Sequence, residues 1–175
     1  THGQKSWNGV AIASRLPLRV EEKGLAGQED LGARLICAHV ETLSFTTVYC
    51  PNGKDIDHED FPRKLAWYDA LIAHWSERRA ESEAAVLCGD FNIAPEDRDV
   101  YDPEKLKETI HCSTPEREAL RHVMDFGLED VYRRFYSSPE RLDHLSDYHH
   151  FLAAAGFEPD AENLGQKVYS RQLAA

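Results

Sequence analysis

The sequence predicts an α/β layered domain, and three observations carry that expectation. Short runs rich in Val, Ile, Thr and Cys are apolar on both faces. One long stretch repeats its apolar residues at steps of three and four. The two kinds of segment then alternate along the chain. With 175 residues the chain has the size of one domain and can bury a core. Its 42% apolar and 29% charged residues are those of an ordinary globular protein. No apolar run approaches the ~20 residues of a membrane span, so no membrane partner is expected.

From the N-terminus, residues 9–14 read as a short strand stopped by Arg15-Leu16-Pro17. Residues 21–32 are polar, contain Gly24, Gly27 and Gly32, show no period, and are expected to form a loop. Across residues 34–41, Leu35, Cys37 and His39 alternate with Ile36, Ala38 and Val40, which suggests a strand covered on both sides. Residues 45–50 form a further strand, close enough to pair as a hairpin, and Pro51-Asn52-Gly53 stops it. A helix is expected over 61–80, with Phe61, Leu65, Tyr68, Leu71, Ile72 and Trp75 on one stripe. Residues 84–89 read as a buried strand running into Asp90-Phe91-Asn92. Ser113-Thr114-Pro115-Glu116 carries the hydroxyl cap, early proline and acidic first turn of a helix start. Leu120, Val123 and Met124 face inward on that helix, and Gly127 is its left-handed stop.

The charge balance is acidic, with 31 Asp and Glu against 20 Lys and Arg and a net charge of −11. Nucleic-acid binders usually present basic surface, so a nucleic-acid partner would require one basic face. Cys37, Cys50, Cys88 and Cys112 form no C-x-x-C pair, which argues against a zinc ribbon. The apolar, strand-like surroundings of Cys37, Cys50 and Cys88 suit reduced, structural thiols and imply a cytoplasmic protein. Thr1-His2-Gly3-Gln4-Lys5 shows neither an initiator Met nor a signal-peptide pattern and reads as the middle of a longer protein.

Two segments carry chemistry. In Leu87-Cys88-Gly89-Asp90-Phe91-Asn92 a strand delivers an Asp and an Asn, two residues apart, to the lip of a sheet. On an extended backbone their side chains would point the same way, toward one hard cation such as Mg²⁺ or one phosphate. Gly, Asp and Asn are equally the residues of a plain turn. In Val48-Tyr49-Cys50-Pro51-Asn52-Gly53 the phenol of Tyr49 either meets a phosphoryl group or is a half-buried strand aromatic.

Taken together with His2-Gly3-Gln4-Lys5, Trp7-Asn8-Gly9-Val10-Ala11-Ile12 and Lys64 opening Leu65-Ala66-Trp67-Tyr68-Asp69-Ala70-Leu71, these segments resemble the exonuclease III family of endonuclease/exonuclease/phosphatase-fold enzymes. The order continues through Gly89-Asp90-Phe91-Asn92-Ile93-Ala94-Pro95 with Asp97, Asp99 and Val100. It runs on through Cys112-Ser113 and Glu116-Arg117 to Gly127-Leu128-Glu129-Asp130-Val131-Tyr132-Arg133, covering residues 1 to 136. The resemblance implies a layered β-sandwich flanked by helices, and metal-dependent hydrolysis of double-stranded DNA at abasic sites or 3′ ends in base excision repair. It implies Mg²⁺, with Mn²⁺ as a substitute, and a monomer. Asp90 matches the catalytic Asp that positions or deprotonates water, and Asn92 a phosphate and metal-site contact. Tyr49 matches the Tyr that stabilises charge on the phosphate. Lys64 matches a basic position and is expected to touch DNA backbone, or else to be solvated.

Two parts of the family pattern are missing. The metal-site Asn and the Gln-Glu pair would lie upstream of Thr1, so the chain on its own is expected to have little or no nuclease activity. Downstream, Arg141-Leu142-Asp143-His144-Leu145-Ser146-Asp147-Tyr148-His149-His150 invites comparison with the family's two terminal motifs. The helical recurrence of Leu142, Leu145, His149 and Leu152 is the plainer reading, and the His spacing does not suit zinc. Residues 137–175 are left as an unassigned helical or irregular tail. The competing functions are a non-catalytic binding module on the same fold and another phosphodiesterase of that fold.

Overall fold

The computed structural model describes residues 1–78, 84–135, 158–159 and 169–170. The chain divides into two units, residues 1–137 and 138–175. In the first, a two-stranded ribbon of β1 (His2–Gly3) and β2 (Gly9–Val10) precedes a four-stranded sheet of order β3-β4-β5-β6. Its strands are β3 (Leu18–Lys23), β4 (Leu35–Val40), β5 (Leu43–Tyr49) and β6 (Ala85–Asp90). The helices are α1 (Asp60–Arg78), α2 (Pro103–Leu106), α3 (Thr114–Met124) and α4 (Val131–Phe135). In the second unit, β7 (Glu158–Pro159) pairs antiparallel with β8 (Tyr169–Ser170). The helix expected around residues 142–152 lies outside the described residues, as do Asp143, His144, His149 and His150.

Strands β4 and β5 form the expected hairpin, in register from Leu35↔Val48 to Val40↔Leu43. Leu35, Ile36, Cys37 and Ala38 are all at most 1% exposed, so both faces of β4 are covered. Alternation explains how. Leu35 and Val48 face the helices, in one cluster with Trp67, Tyr68, Leu71, Trp75 and Val123. Ile36 and Ala38 point the other way and are buried as well. Helix α1 carries the chain from β5 to β6, and these two strands pair in parallel, as a helical crossover requires. Helix α3 packs on α1 and starts on a capping box of Ser113 and Glu116. Gly127, with φ +85°, ends that segment in the left-handed conformation.

Four expectations are corrected. The loop expected over residues 21–32 begins later, because residues 21–23 belong to strand β3. β3 pairs with β4 at the sheet's exposed edge, and a bulge between Val20 and Glu22 breaks its alternation. The strand at residues 9–14 is only Gly9–Val10. The buried stripe of α1 runs through Lys64, Trp67, Tyr68, Leu71 and Trp75, with Phe61 and Leu65 half-buried beside it. Finally, β6 is half-buried at its start and exposed from Cys88 onward, so Cys88 is a surface thiol.

Candidate active site

The end of the sheet at which β5 and β6 stop is built by close backbone approach. Parallel pairing sets Tyr49 directly beside Asp90, and Val48 beside Gly89. Gly89 has φ +128°, and a Cβ there would lie 2.0 Å from the Val48 carbonyl oxygen. Only glycine lets β6 pass so close and still deliver Asp90 next to Tyr49.

Beyond the strands the two chains stay laced together. The Cys50 N–H donates to the Asp90 carbonyl at 2.8 Å, and Asn92 Nδ2 donates to the Cys50 carbonyl at 2.8 Å. Asp90 Oδ1 accepts the Asn92 N–H at 2.9 Å, which makes Asp90-Phe91-Asn92 an Asx turn. Asn92 sits at φ +49°, so its backbone is left-handed, not extended. Asp90 and Asn92 therefore come together through this turn, rather than by the two-residue period of a strand. The bond to Cys50 fixes the Asn92 amide, leaving its Oδ1 and the second Asp90 carboxylate oxygen as hard oxygen donors. From below, the Tyr68 hydroxyl donates to the Phe91 carbonyl at 2.5 Å. Burial pushes the Tyr68 phenol far above its ordinary range and the Cys50 thiol up to about 12, so both remain protonated.

Tyr49 is held from its other side by Arg34, which precedes β4. The guanidinium stands 5.0 Å from the Tyr49 ring centroid, donates from Nη1 to the Tyr49 carbonyl at 3.0 Å, and from Nε to the Leu31 carbonyl at 2.8 Å. Burial lowers the Arg34 pKa, and the facing Tyr49 and Cys50 offset part of that shift. Such a stack is worth about 0.5–2 kcal/mol and fixes the ring's orientation.

Lys64 occupies neither of its expected places. Its side chain is wholly buried, and Nζ donates to Asn52 O at 3.1 Å, Asn92 O at 2.7 Å and Glu116 Oε1 at 2.5 Å. With its three donors used and no exposed surface, it has no face to offer a DNA backbone. His111 Nδ1 lies 2.6 Å from Asn92 O and 3.3 Å from Lys64 Nζ, and its Nε2 lies 3.3 Å from Asn52 Nδ2. Arg34, Gly89, His111 and Glu116 thus join the residues that the sequence singled out. Of these, only Glu116 and Gly89 lay within motifs read earlier, Glu116 as a helix cap.

Asp90 and Asn92 thus present one carboxylate oxygen and one amide oxygen at this end of the sheet. Among the described residues no group of three or more His, Cys, Asp or Glu side chains is placed to hold a metal. One carboxylate plus an amide oxygen is the hard-oxygen chemistry that Mg²⁺ accepts when water fills the remaining positions.

The family model described as the endonuclease/exonuclease/phosphatase family matches residues 1–162. The chain belongs to that family. Within it the relatives are of exonuclease III type. Exodeoxyribonuclease III of Haemophilus influenzae is 32% identical over 145 residues, 76% of this chain and 54% of the relative. An exodeoxyribonuclease of Bacillus subtilis is 28% identical over 139 residues, with 78% and 54% covered. Among solved structures, a 3′ phosphatase from Neisseria bound to a product DNA hairpin superposes with a TM-score of 0.70 at 30% identity, over 87% of this chain and 67% of that one. An AP endonuclease from Archaeoglobus fulgidus gives 0.57 at 32% identity, over 66% and 44%. The chain spans about half the length of the curated relatives it matches.

Proposed function

We propose that this exonuclease III-type chain carries the phosphoryl-transfer side of a DNA phosphodiesterase site, acting on duplex DNA at abasic sites or 3′ ends. The observation that carries the reading is the pairing of Tyr49 with Asp90 at one sheet end, with Asn92 tied to Cys50 beside them. Hydrolysis of a phosphodiester needs an oriented water and neutralisation of charge on the equatorial oxygens. Asp90 orients and deprotonates the water through its free carboxylate oxygen. Tyr49 donates its phenolic proton to a phosphate oxygen, and the Arg34 stack holds the ring for that contact. Asn92 offers Oδ1 to the phosphate or the cation. Mg²⁺, or Mn²⁺ in its place, would be held by Asp90 and Asn92 and would supply charge neutralisation at the phosphate. The four cysteines form no disulfide, which supports a reducing, cytoplasmic setting, and on this reading the protein acts as a monomer. Among the described residues no helix is long and apolar enough to cross a membrane.

The test uses the protein translated from its whole reading frame and three labelled duplexes, carrying an internal abasic site, a recessed 3′ end and a 3′ phosphate. Mg²⁺-dependent cleavage or phosphate release on at least one of them, lost on chelation, is expected. No turnover on any of the three would overturn the proposal.

A further inference from the structure

We propose that Lys64 is a positioning residue: its buried ammonium holds together the two turns that carry the candidate site, through the backbone carbonyls of Asn52 and Asn92. The role of the site rests on the nuclease reading above, but the positioning does not. Lys64 and Glu116 are both 0% exposed. Charges taken out of water are tolerated only when every donor and acceptor is matched, and here they are. The ammonium's three protons go to Asn52 O in the turn after β5, Asn92 O in the turn after β6, and Glu116 at the start of α3. The Glu116 carboxylate also accepts from the His111 N–H at 3.0 Å, the Ser113 N–H at 3.2 Å and the Ser113 hydroxyl at 2.6 Å. An apolar pair of similar volume often fills such a space with no loss of stability. What the ions add is direction: donors aimed at two particular carbonyls.

The Asn92 carbonyl shows why direction matters. Asn92 has φ +49°, a conformation that a non-glycine residue holds only when its surroundings over-determine it. Its carbonyl receives both Lys64 Nζ at 2.7 Å and His111 Nδ1 at 2.6 Å. Relaxing Asn92 to a right-handed or extended conformation would swing that oxygen off both donors. The same relaxation would break the Asn92 N–H bond to Asp90 Oδ1 and the Asn92 Nδ2 bond to Cys50 O. Lys64 therefore sets the orientation of the Asp90 carboxylate and the Asn92 amide without touching a substrate.

The experiment is amide hydrogen exchange by NMR on the ¹⁵N-labelled 175-residue chain, with no metal and no DNA. Wild type is compared with the double variant Lys64→Met/Glu116→Gln, which leaves no unpaired carboxylate in the core. Protection at the Asn92 and Cys50 amides should fall by about tenfold or more, and the Asn92 side-chain amide resonances should move toward free-amide positions. The β4–β5 ladder should stay within about threefold of wild type, a split that a merely structural role would not produce. Should the double variant fail to fold, Glu116→Gln alone decides, because it loosens the ammonium's anchor and must show the same split. Wild-type protection at Asn92 and Cys50, or a loss matched across the ladder, would overturn the proposal. Since neither DNA nor cation enters the measurement, failure of the nuclease reading leaves its outcome unchanged.

Discussion

Replacing Gly89 with alanine tests how the sheet delivers Asp90 to its place beside Tyr49. The added Cβ would lie 2.0 Å from Val48 O and 2.8 Å from Val48 N, where ordinary contact begins at 3.4 Å. The ends of β5 and β6 must then part by more than an ångström, on a backbone whose φ of +128° already disfavours any side chain. Strain of the backbone contributes about 1–3 kcal/mol and the forced overlap a further ~1–3 kcal/mol. A combined loss of about 2–6 kcal/mol is a large share of the ~5–15 kcal/mol that domains possess. For a chain of this size it corresponds to a fall in the thermal midpoint of about 4–24 °C. Thermal and urea unfolding without metal measure it, with Gly3→Ala as the control, since nothing lies within 4 Å of a Cβ there. A Gly89→Ala chain that melts within about 2 °C of wild type, with an unchanged ¹⁵N spectrum at Asp90 and Asn92, would refute the close-approach argument.

Further outcomes follow from the same geometry. Tyr49→Phe keeps the ring beside Arg34, so the melting point should hold. Turnover by the complete protein should drop about 10²–10³-fold, the scale of losing one charge-stabilising donor, with KM little changed; undiminished turnover would remove Tyr49 from the mechanism. Tyr68→Phe strips the donor from the Phe91 carbonyl and should cost about 1–3 kcal/mol in urea unfolding, the price of a buried acceptor left unmatched. A thiol reagent at neutral pH should label exposed Cys88 first and leave Cys50 until unfolding, as peptide mapping would read. Because burial raises the Cys50 pKa from 9.0 to about 12, its contribution to stability is complete below pH 9. It is lost as the pH rises from 9 toward 12, where the unfolded thiol ionises and the folded one does not. Tyr68 shifts in the same direction. Urea midpoints that hold steady over that window would contradict the burial argument.

How much of this was legible in the sequence depends on whether the signal was local. The β4–β5 hairpin and the start and stop of α3 were read correctly, because alternation, the capping box and Gly127 each act within a few residues. Strand β3 was missed because an exposed edge strand with the composition Leu-Arg-Val-Glu-Glu-Lys and a bulge shows no alternation. The resemblance gives Tyr49 and Asp90 to one family's catalytic residues, and the register sets them side by side. The mechanism of convergence for Asn92 was misjudged, since an Asx turn leaves no mark distinct from a strand end. Lys64 was misread because its partner lies 52 residues away. A lysine three and four residues before Trp67 and Tyr68, on the same helix face, was the available hint. Arg34 behind Tyr49 likewise depends on pairing that composition does not reveal.

The central claim is that Asp90 acts on the water and the cation rather than in packing. The direct test is a paired measurement on Asp90→Asn in the complete protein: the single-turnover rate on an abasic or 3′-blocked duplex, and the thermal midpoint without metal. Asp90 is exposed at the end of β6, and the near-isosteric Asn retains an oxygen for the Asn92 N–H, so the midpoint should move little, within about 0.5 kcal/mol. The rate should fall by more than the ~10²–10⁴ of general acid–base catalysis alone, since nucleophile activation and a cation ligand are lost together. A variant that keeps near-normal turnover, or that unfolds, would show Asp90 to be a turn residue and contradict the account.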